Sequence, residues 1–289
     1  MRVNILGCGK VARVFARSWS EQDRITVGGV YNRQRAHSEE AVAFIGSGQA
    51  VSSLADCAPA DVLMIGVSDD QLPNVDALLD SSEVLEHVSL VFHLSGCHPA
   101  AALSSAVRRA IPVASLHLLK SVTTAPSTYE SLMGAYAALE GSPSATAVLE
   151  RWCEASGIRT FQIGQNDKSL YHAGNCFLAN YVVTLLDAGI RCYEACGISR
   201  EQACEVSAGM VAEVAARFFA RQGENALSGP IRRGDMGVIE SHLAALQQKL
   251  PADTQLYEAL VEQTMRLVES IDPAKAGSFT AYRNRRTPR

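Results

Sequence analysis

The 289-residue chain has no run of about 18 uninterrupted apolar residues, no Cys-x-x-Cys or Cys-x-x-His spacing, no internal repeat and no low-complexity segment. The first absence argues against a membrane span, the second against a zinc site or any other metal centre, and the last two against solenoids and disordered tracts. An excess of charge is missing too. The 26 Lys and Arg residues stand against 30 Asp and Glu, a net charge of -4, so nothing attracts a polyphosphate backbone and no nucleic acid is expected as a partner. No signal peptide is expected, because the chain opens on a short apolar strand (Val3, Ile5, Leu6) with one Arg. The eight cysteines fall in no framework of spacings; Cys192 and Cys196 lie one helical turn apart beside small apolar residues. They read as buried, reduced thiols of a cytoplasmic protein.

What is present is a change of period. Short β-branched or apolar runs at Arg2 to Leu6, Ile25 to Tyr31, Asp61 to Val67, Leu90 to Leu94 and Pro112 to Leu116 alternate with helical patterns at Val11 to Glu21, Gln34 to Ile45, Leu72 to Leu79 and Ala100 to Arg109. Strands apolar on both faces and separated by helices predict a parallel sheet covered on both sides. Further strands are predicted near Met133 to Leu139 and at Thr160 to Ile163, around a helix at Ala145 to Ala155. After Gly164 the strand signals stop. Long helices follow at Leu170 to Cys196, Arg200 to Arg221, Met236 to Lys249 and Thr254 to Ser270, then a basic tail expected to be mobile. The expected architecture is α/β: a Rossmann-like, mostly parallel sheet over residues 1–164 and a second, all-helical C-terminal domain over 165–289.

Directly after the first strand comes Gly7-Cys8-Gly9-Lys10-Val11-Ala12, a G-x-G-x-x-A turn opening a helix. Gly7 permits the tight turn, Gly9 lets the backbone approach a pyrophosphate, and Ala12 lets the helix pack close to the strand. The first amides of the helix then face the phosphates. A dinucleotide is therefore expected. At the tip of the second strand stands Asn32-Arg33, with no acid from Val27 to Arg35 to hold a ribose diol. This favours NADP over NAD, with Asn32 and Arg33 as selectors. Ligands of such sheets lie across the carboxyl ends of the strands, which adds Val67, Ser68 and Asp69 after one strand and Ser95 and Gly96 after another. His93 alternates with buried positions and reads as a core histidine.

The candidate for chemistry opens the helical part. Lys168, His172 and Asn175 are spaced i, i+4 and i+7, which puts them on one helix face. Such a face suits reduction of a small carbonyl or imine compound: histidine supplies a proton near neutral pH, and an amide orients the substrate without a change of charge. The other polar constellation is Gly229 to Asp235, where Arg232 and Arg233 project from a turn and Asp235 occupies a helix N-cap position. It reads first as a helix-helix connection, and alternatively as a fork for a substrate carboxylate.

These features resemble the 6-phosphogluconate dehydrogenase-like superfamily, which includes β-hydroxyacid dehydrogenases, ketopantoate reductase and pyrroline-carboxylate reductase. More closely, His93-Leu94-Ser95-Gly96, Ser115-Leu116-His117, Lys168 with Tyr171-His172-Ala173, and Gly229 to Asp235 look like a group of bacterial NADP oxidoreductase-like proteins with a helical domain of unassigned function. The resemblance implies an NADP-dependent oxidoreductase acting on a small molecule, with His117 at the substrate and helical domains interlocked in a homodimer. The β-hydroxyacid dehydrogenases carry a catalytic Lys followed three residues later by Asn. In this chain Asn175 takes the Asn position and His172 replaces the Lys, and Leu118 stands where the closer group has Pro. An NADP(H)-binding sensor without turnover is the competing expectation.

Overall fold

A computed structural model describes the backbone of residues 1–122, 132–221, 223 and 226–286. The chain divides into two compact units, Met1–Cys176 and Phe177–Arg289. The first holds strands β1 (Arg2–Leu6), β2 (Thr26–Tyr31), β3 (Gln49–Val51), β4 (Val62–Ile65), β5 (Leu90–His93), β6 (Val113–Leu118), β7 (Tyr136–Gly141) and β8 (Arg159–Gln162). They form one sheet in the order β3-β2-β1-β4-β5-β6-β7-β8, parallel throughout except between β6 and β7. The order reverses at β1 and β4, which opens a crevice at the carboxyl ends of these strands.

Strand β4 shows why both faces are covered. Its alternate residues Val62 and Met64 enter the core with Phe15, Trp19, Phe92 and Trp152, whereas Leu63 and Ile65 enter the opposite core with Leu72, Leu79 and Leu103. With side chains alternating along the strand, two buried faces require the continuous apolar run that the sequence displays. The helices on these faces are α1 (Lys10–Glu21), α2 (Arg35–Ile45), α3 (Leu72–Asp80), α4 (Ser104–Arg108) and α5 (Pro143–Ala155). The short strand β3 carried no pattern of its own. The predicted helix at 100–109 is a 3-10 turn, Ala100–Ala102, followed by α4.

Helix α6 (Lys168–Asn175) closes the first unit. The first compact unit therefore extends to Cys176, beyond the expected boundary at 164/165. Lys168, the first residue of α6, is 1% exposed and hydrogen-bonds to Ser95 in the loop after β5 and to Ser115 of β6, which ties this helix to the sheet despite its helical period. A π-helical turn, Cys176–Asn180, follows.

The second unit contains α7 (Tyr181–Ala195), α8 (Arg200–Ala220), α9 (Pro230–Arg233), α10 (Met236–Lys249), α11 (Pro251–Ile271) and α12 (Ala276–Arg286). Its core joins Ile231, Ile239, Leu243, Val261, Met265, Val268, Phe279 and Tyr282. The tail expected to be mobile is thus helical as α12, because Phe279 and Tyr282 enter this core and Arg283 pairs with Glu262 and Glu269. Helices α7 and α8 bury only Ile190 and Ala203. Helical residues Gln165–Ala195 are long and apolar enough to cross a membrane by length and composition, with mean hydropathy 1.2, although polar residues interrupt every apolar run in them.

Candidate functional site

The glycine-rich turn between β1 and α1 lies in the crevice. Gly7 has φ +76°, and a Cβ there would sit 2.2 Å from a Val67 methyl and 2.9 Å from the Val67 amide nitrogen, so glycine is required twice over. A Cβ on Gly66 would lie 2.5 Å from Gly7 O and 2.7 Å from Ala12 Cβ, which shows how closely β4 approaches the turn and the helix. The first α1 amide bonded to the turn is Arg13 N–H, which donates to Gly9 O at 3.0 Å, leaving Lys10, Val11 and Ala12 amides at the open helix end. Around them runs a groove of about 410 Å³ whose lining includes Gly7, Gly9, Asn32, Arg33, His37 and Ser68.

Within this groove the structure separates two residues that the sequence paired. Asn32 Oδ1 accepts from the Cys8 amide at 2.8 Å, and its own amides donate to Ser38 Oγ, so Asn32 lines the groove with its polar atoms committed to bracing the turn. Arg33 is exposed, and no carboxylate pairs with it among the described residues, whereas Arg35 is held by Glu39 and Ser52. Arg33 is therefore the cation available to an anion in the groove. His37 beside it carried no sequence signal, since only the path of α2 brings it there. Cys8 is buried and its thiol is pushed up to about 12 by burial, which excludes a reactive thiolate in the turn. Asp69 opens a 3-10 turn after Ser68 and is absent from the groove lining.

A second cluster forms where the loop after β5, the end of β6 and helix α6 meet. Ser95 Oγ accepts from the Cys97 and His98 amides, shaping that loop. Its carbonyl accepts from Lys168 Nζ at 2.9 Å and Ser115 Oγ at 3.1 Å, and Lys168 also donates to Ser115 Oγ at 2.6 Å. Burial lowers Lys168 to about 8, against Glu140 and Asp69, which pull it upward. His93, as expected, is a core residue: it accepts the Ser95 amide at Nδ1, and Nε2 reaches Pro99 O at 3.1 Å. That first bond fixes the proton on Nε2.

Beside this lock stand two imidazoles and a phenol. His117 Nδ1 lies 2.7 Å from Tyr171 Oη, with the rings edge to face at 5.6 Å. The His172 ring packs on His117 at 5.9 Å, and Phe161 covers Tyr171 at 6.2 Å. A Cβ on Gly96 would meet His172 Cδ2 at 2.7 Å and His117 Nε2 at 2.8 Å, so this glycine makes room for both imidazoles. Burial, then the Lys168 and His172 charges, lowers His117 to about 4, which leaves it neutral at physiological pH. Burial raises the Tyr171 phenol, with the Asn175 amide pulling the other way. Asn175 Nδ2 is buried beside the Tyr171 hydroxyl, with no well-formed hydrogen bond among the described residues.

Ser95, Gly96, His117, Lys168, His172 and Asn175, expected in separate cofactor, substrate and catalytic roles, thus lie in one cluster, with Lys168 turned inward. Ser115, Phe161 and Tyr171 complete the cluster; neither the triplet at 115–117 nor the helix period assigned them a role. Arg232 and Arg233 are held by Asp272 and Asp235 inside the second unit. Asp235 occupies the N-cap position of α10, but its carboxylate serves Arg233 instead of the helix amides. These pairings favour the plain helix-helix connection over a carboxylate fork.

The sheet order, the glycine-rich turn and the helical second unit define a Rossmann-like class of two-unit proteins. Residues 135–264 match the family model of a domain of unknown function, DUF2520. Among solved structures, a protein from Thermotoga maritima is 21% identical with TM-score 0.71, covering 93% of this chain and 98% of its own. A protein from Bacteroides fragilis, described as a candidate NADP oxidoreductase, is 16% identical with TM-score 0.71, covering 92% and 98%. An imine reductase from Myxococcus stipitatus, solved in complex with NADP+, is 17% identical with TM-score 0.62, covering 96% of each chain. At these identities the likeness is one of fold. No curated protein matches the chain in sequence.

Proposed function

We propose that the chain is an NADP(H)-dependent oxidoreductase that reduces a small carbonyl or imine compound, with a carboxylic acid as the preferred substrate class. The observation that carries this reading is Arg33, which pairs with no carboxylate among the described residues, in a groove that begins at the glycine-rich turn, on the same sheet as a cluster of imidazole, phenol and amide. The residues present fit the cofactor: the Gly7–Gly9 turn leaves backbone space for a pyrophosphate, the α1 amides offer donors, and Arg33 offers a cation for a 2'-phosphate. When bound, the nicotinamide would supply hydride. The chain's own task is then to orient the substrate and hold a proton near the site of reduction. Asn175 holds a buried donor beside the Tyr171 hydroxyl with no well-formed hydrogen bond among the described residues, and such a donor costs about 1–3 kcal/mol until a good acceptor arrives. His172, packed against His117 beside Gly96, is the imidazole that the sequence reading assigns to the proton. Lys168 holds the floor of this cluster in place.

The test is NADPH oxidation against a panel of keto acids, cyclic imines and aldehydes, alongside titration with NADPH and NADH. Turnover on at least one panel member, together with tighter binding of NADPH, is the expected result. Tight NADPH binding with no turnover, and a cofactor-dependent change in oligomer size, would instead establish the sensor. Equal affinity for NADH and NADPH would overturn the cofactor choice.

A further inference from the structure

We infer that the Tyr171 hydroxyl, held by His117, delivers the proton to the reduced substrate in place of His172, with His117 as its positioning residue. This deepens the proposed function and rests on it. Three observations carry the inference. Tyr171 is the one member of the half-buried polar face formed by Tyr171, His172 and Asn175 whose reactive atom is held by a side chain of the sheet, through the 2.7 Å contact with His117 Nδ1. His172 makes only a ring contact with His117, and no hydrogen bond orients its nitrogens among the described residues. His117 also bridges the right places: Nε2 faces the Cβ position of Gly96, and Nδ1 faces the phenol, so one ring links the Ser95–Gly96 loop to Tyr171.

The electrostatics support the same assignment. Burial keeps Tyr171 in its phenol form and His117 neutral, so the pair enters the reaction with its proton in place and without a net charge to desolvate. With the His117 proton on Nδ1, that N–H donates to Tyr171 Oη and leaves the Tyr171 O–H free to point at substrate. In the transfer, the Tyr171 O–H bond breaks and an N–H or O–H bond forms on the substrate atom that has just gained the electron pair of its double bond. The phenolate, still hydrogen-bonded by the His117 Nδ1–H, recovers its proton from solvent water. A bound reduced nicotinamide would supply the electron pair for the reduction, and the net proton comes from solvent.

The closing experiment has two arms. In the cofactor-free protein, nitrogen NMR of the His117 imidazole reads the hydrogen bond directly; Tyr171→Phe is expected to shift the Nδ1 resonance and leave the His93 ring unchanged. An unmoved His117 resonance overturns the inference. In the second arm, kcat and KM are measured with a cyclic imine or keto acid that the wild type reduces. Tyr171→Phe is expected to lower kcat at least about 100-fold with NADPH affinity retained. His117→Leu should follow it, and His117→Asn, which keeps a donor near the Nδ1 position, should recover part of the loss. If Tyr171→Phe keeps kcat, or loses less than His172→Gln, the inference falls while the proposed function stands. If the wild type reduces no panel member, the proposed function falls and this inference with it.

Discussion

Arg33 and Asn32 are neighbours in sequence and opposite in use. Asn32 turns inward to the Cys8 amide and Ser38, while Arg33 stays exposed in the groove. Arg33→Ala should therefore weaken NADPH about 10-fold or more and leave NADH nearly unchanged, as expected for loss of one charge-assisted contact. Asn32→Ala removes the acceptor of a backbone amide in the turn, so it should weaken both cofactors alike. Fluorescence titration of both nucleotides against both variants separates the two roles, and a specificity change in Asn32→Ala would contradict the bracing role. The buried histidines make a second prediction at this scale. His93 and His117 are each lowered to about 4 by burial, below the ordinary value of 6.5. Between these values the unfolded chain binds more protons than the folded one, so stability rises with pH across the window and falls as pH drops from 6.5 toward 4. Thermal melts of wild type and His93→Asn should show a flatter slope for the variant in that window. The glycine-rich turn and the helix face were legible in sequence because backbone strain and helical period are local. The inward turn of Asn32 and of Lys168 was not, because a side chain's rotamer follows from partners distant in the chain, Ser38 in one case and Ser95 with Ser115 in the other.

At the scale of elements, α6 is the case in point. Its period reads as the start of a long helix, yet the Lys168 bonds to Ser95 and Ser115 tie it to the sheet. Lys168→Met keeps the length of the side chain and removes the ammonium. Without it, the Ser95 carbonyl retains only the Ser115 hydroxyl, and the variant should lose about 1–3 kcal/mol of stability. Urea unfolding checks this, and an unchanged midpoint would show that the lock contributes nothing. The same variant should raise KM more than it lowers kcat, since Lys168 holds the loop and touches no reacting atom. Strand β7 was placed a few residues early by its pattern, and β3 escaped notice, because three residues carry too little periodicity to register.

For the whole molecule, the question is what covers α7 and α8. These helices leave Val183, Leu185, Val206, Met210 and Phe219 exposed in the single chain. Apolar surface of that extent calls for cover, and a second copy of the chain is the partner that the resemblance implied. Sedimentation should give a species of twice the 31.0 kDa chain mass, and Met210→Lys with Phe219→Lys should shift it to monomer. A wild-type monomer at micromolar concentration would remove the homodimer; association only with detergent micelles would point to a membrane use of helical residues Gln165–Ala195.

The sequence by itself determined the layered sheet, the cofactor turn and the helical second part, since each follows from local period and from backbone conformations that few residues adopt. The tertiary structure decided which polar groups remain free. Lys168, Asn32, Arg232 and Arg233 are consumed by internal partners, whereas Arg33 has no such partner among the described residues and Tyr171 is held by His117. The reason is that a hydrogen bond depends on ångström proximity between residues that may lie 54 or 73 positions apart, a quantity that spacing along a chain does not contain.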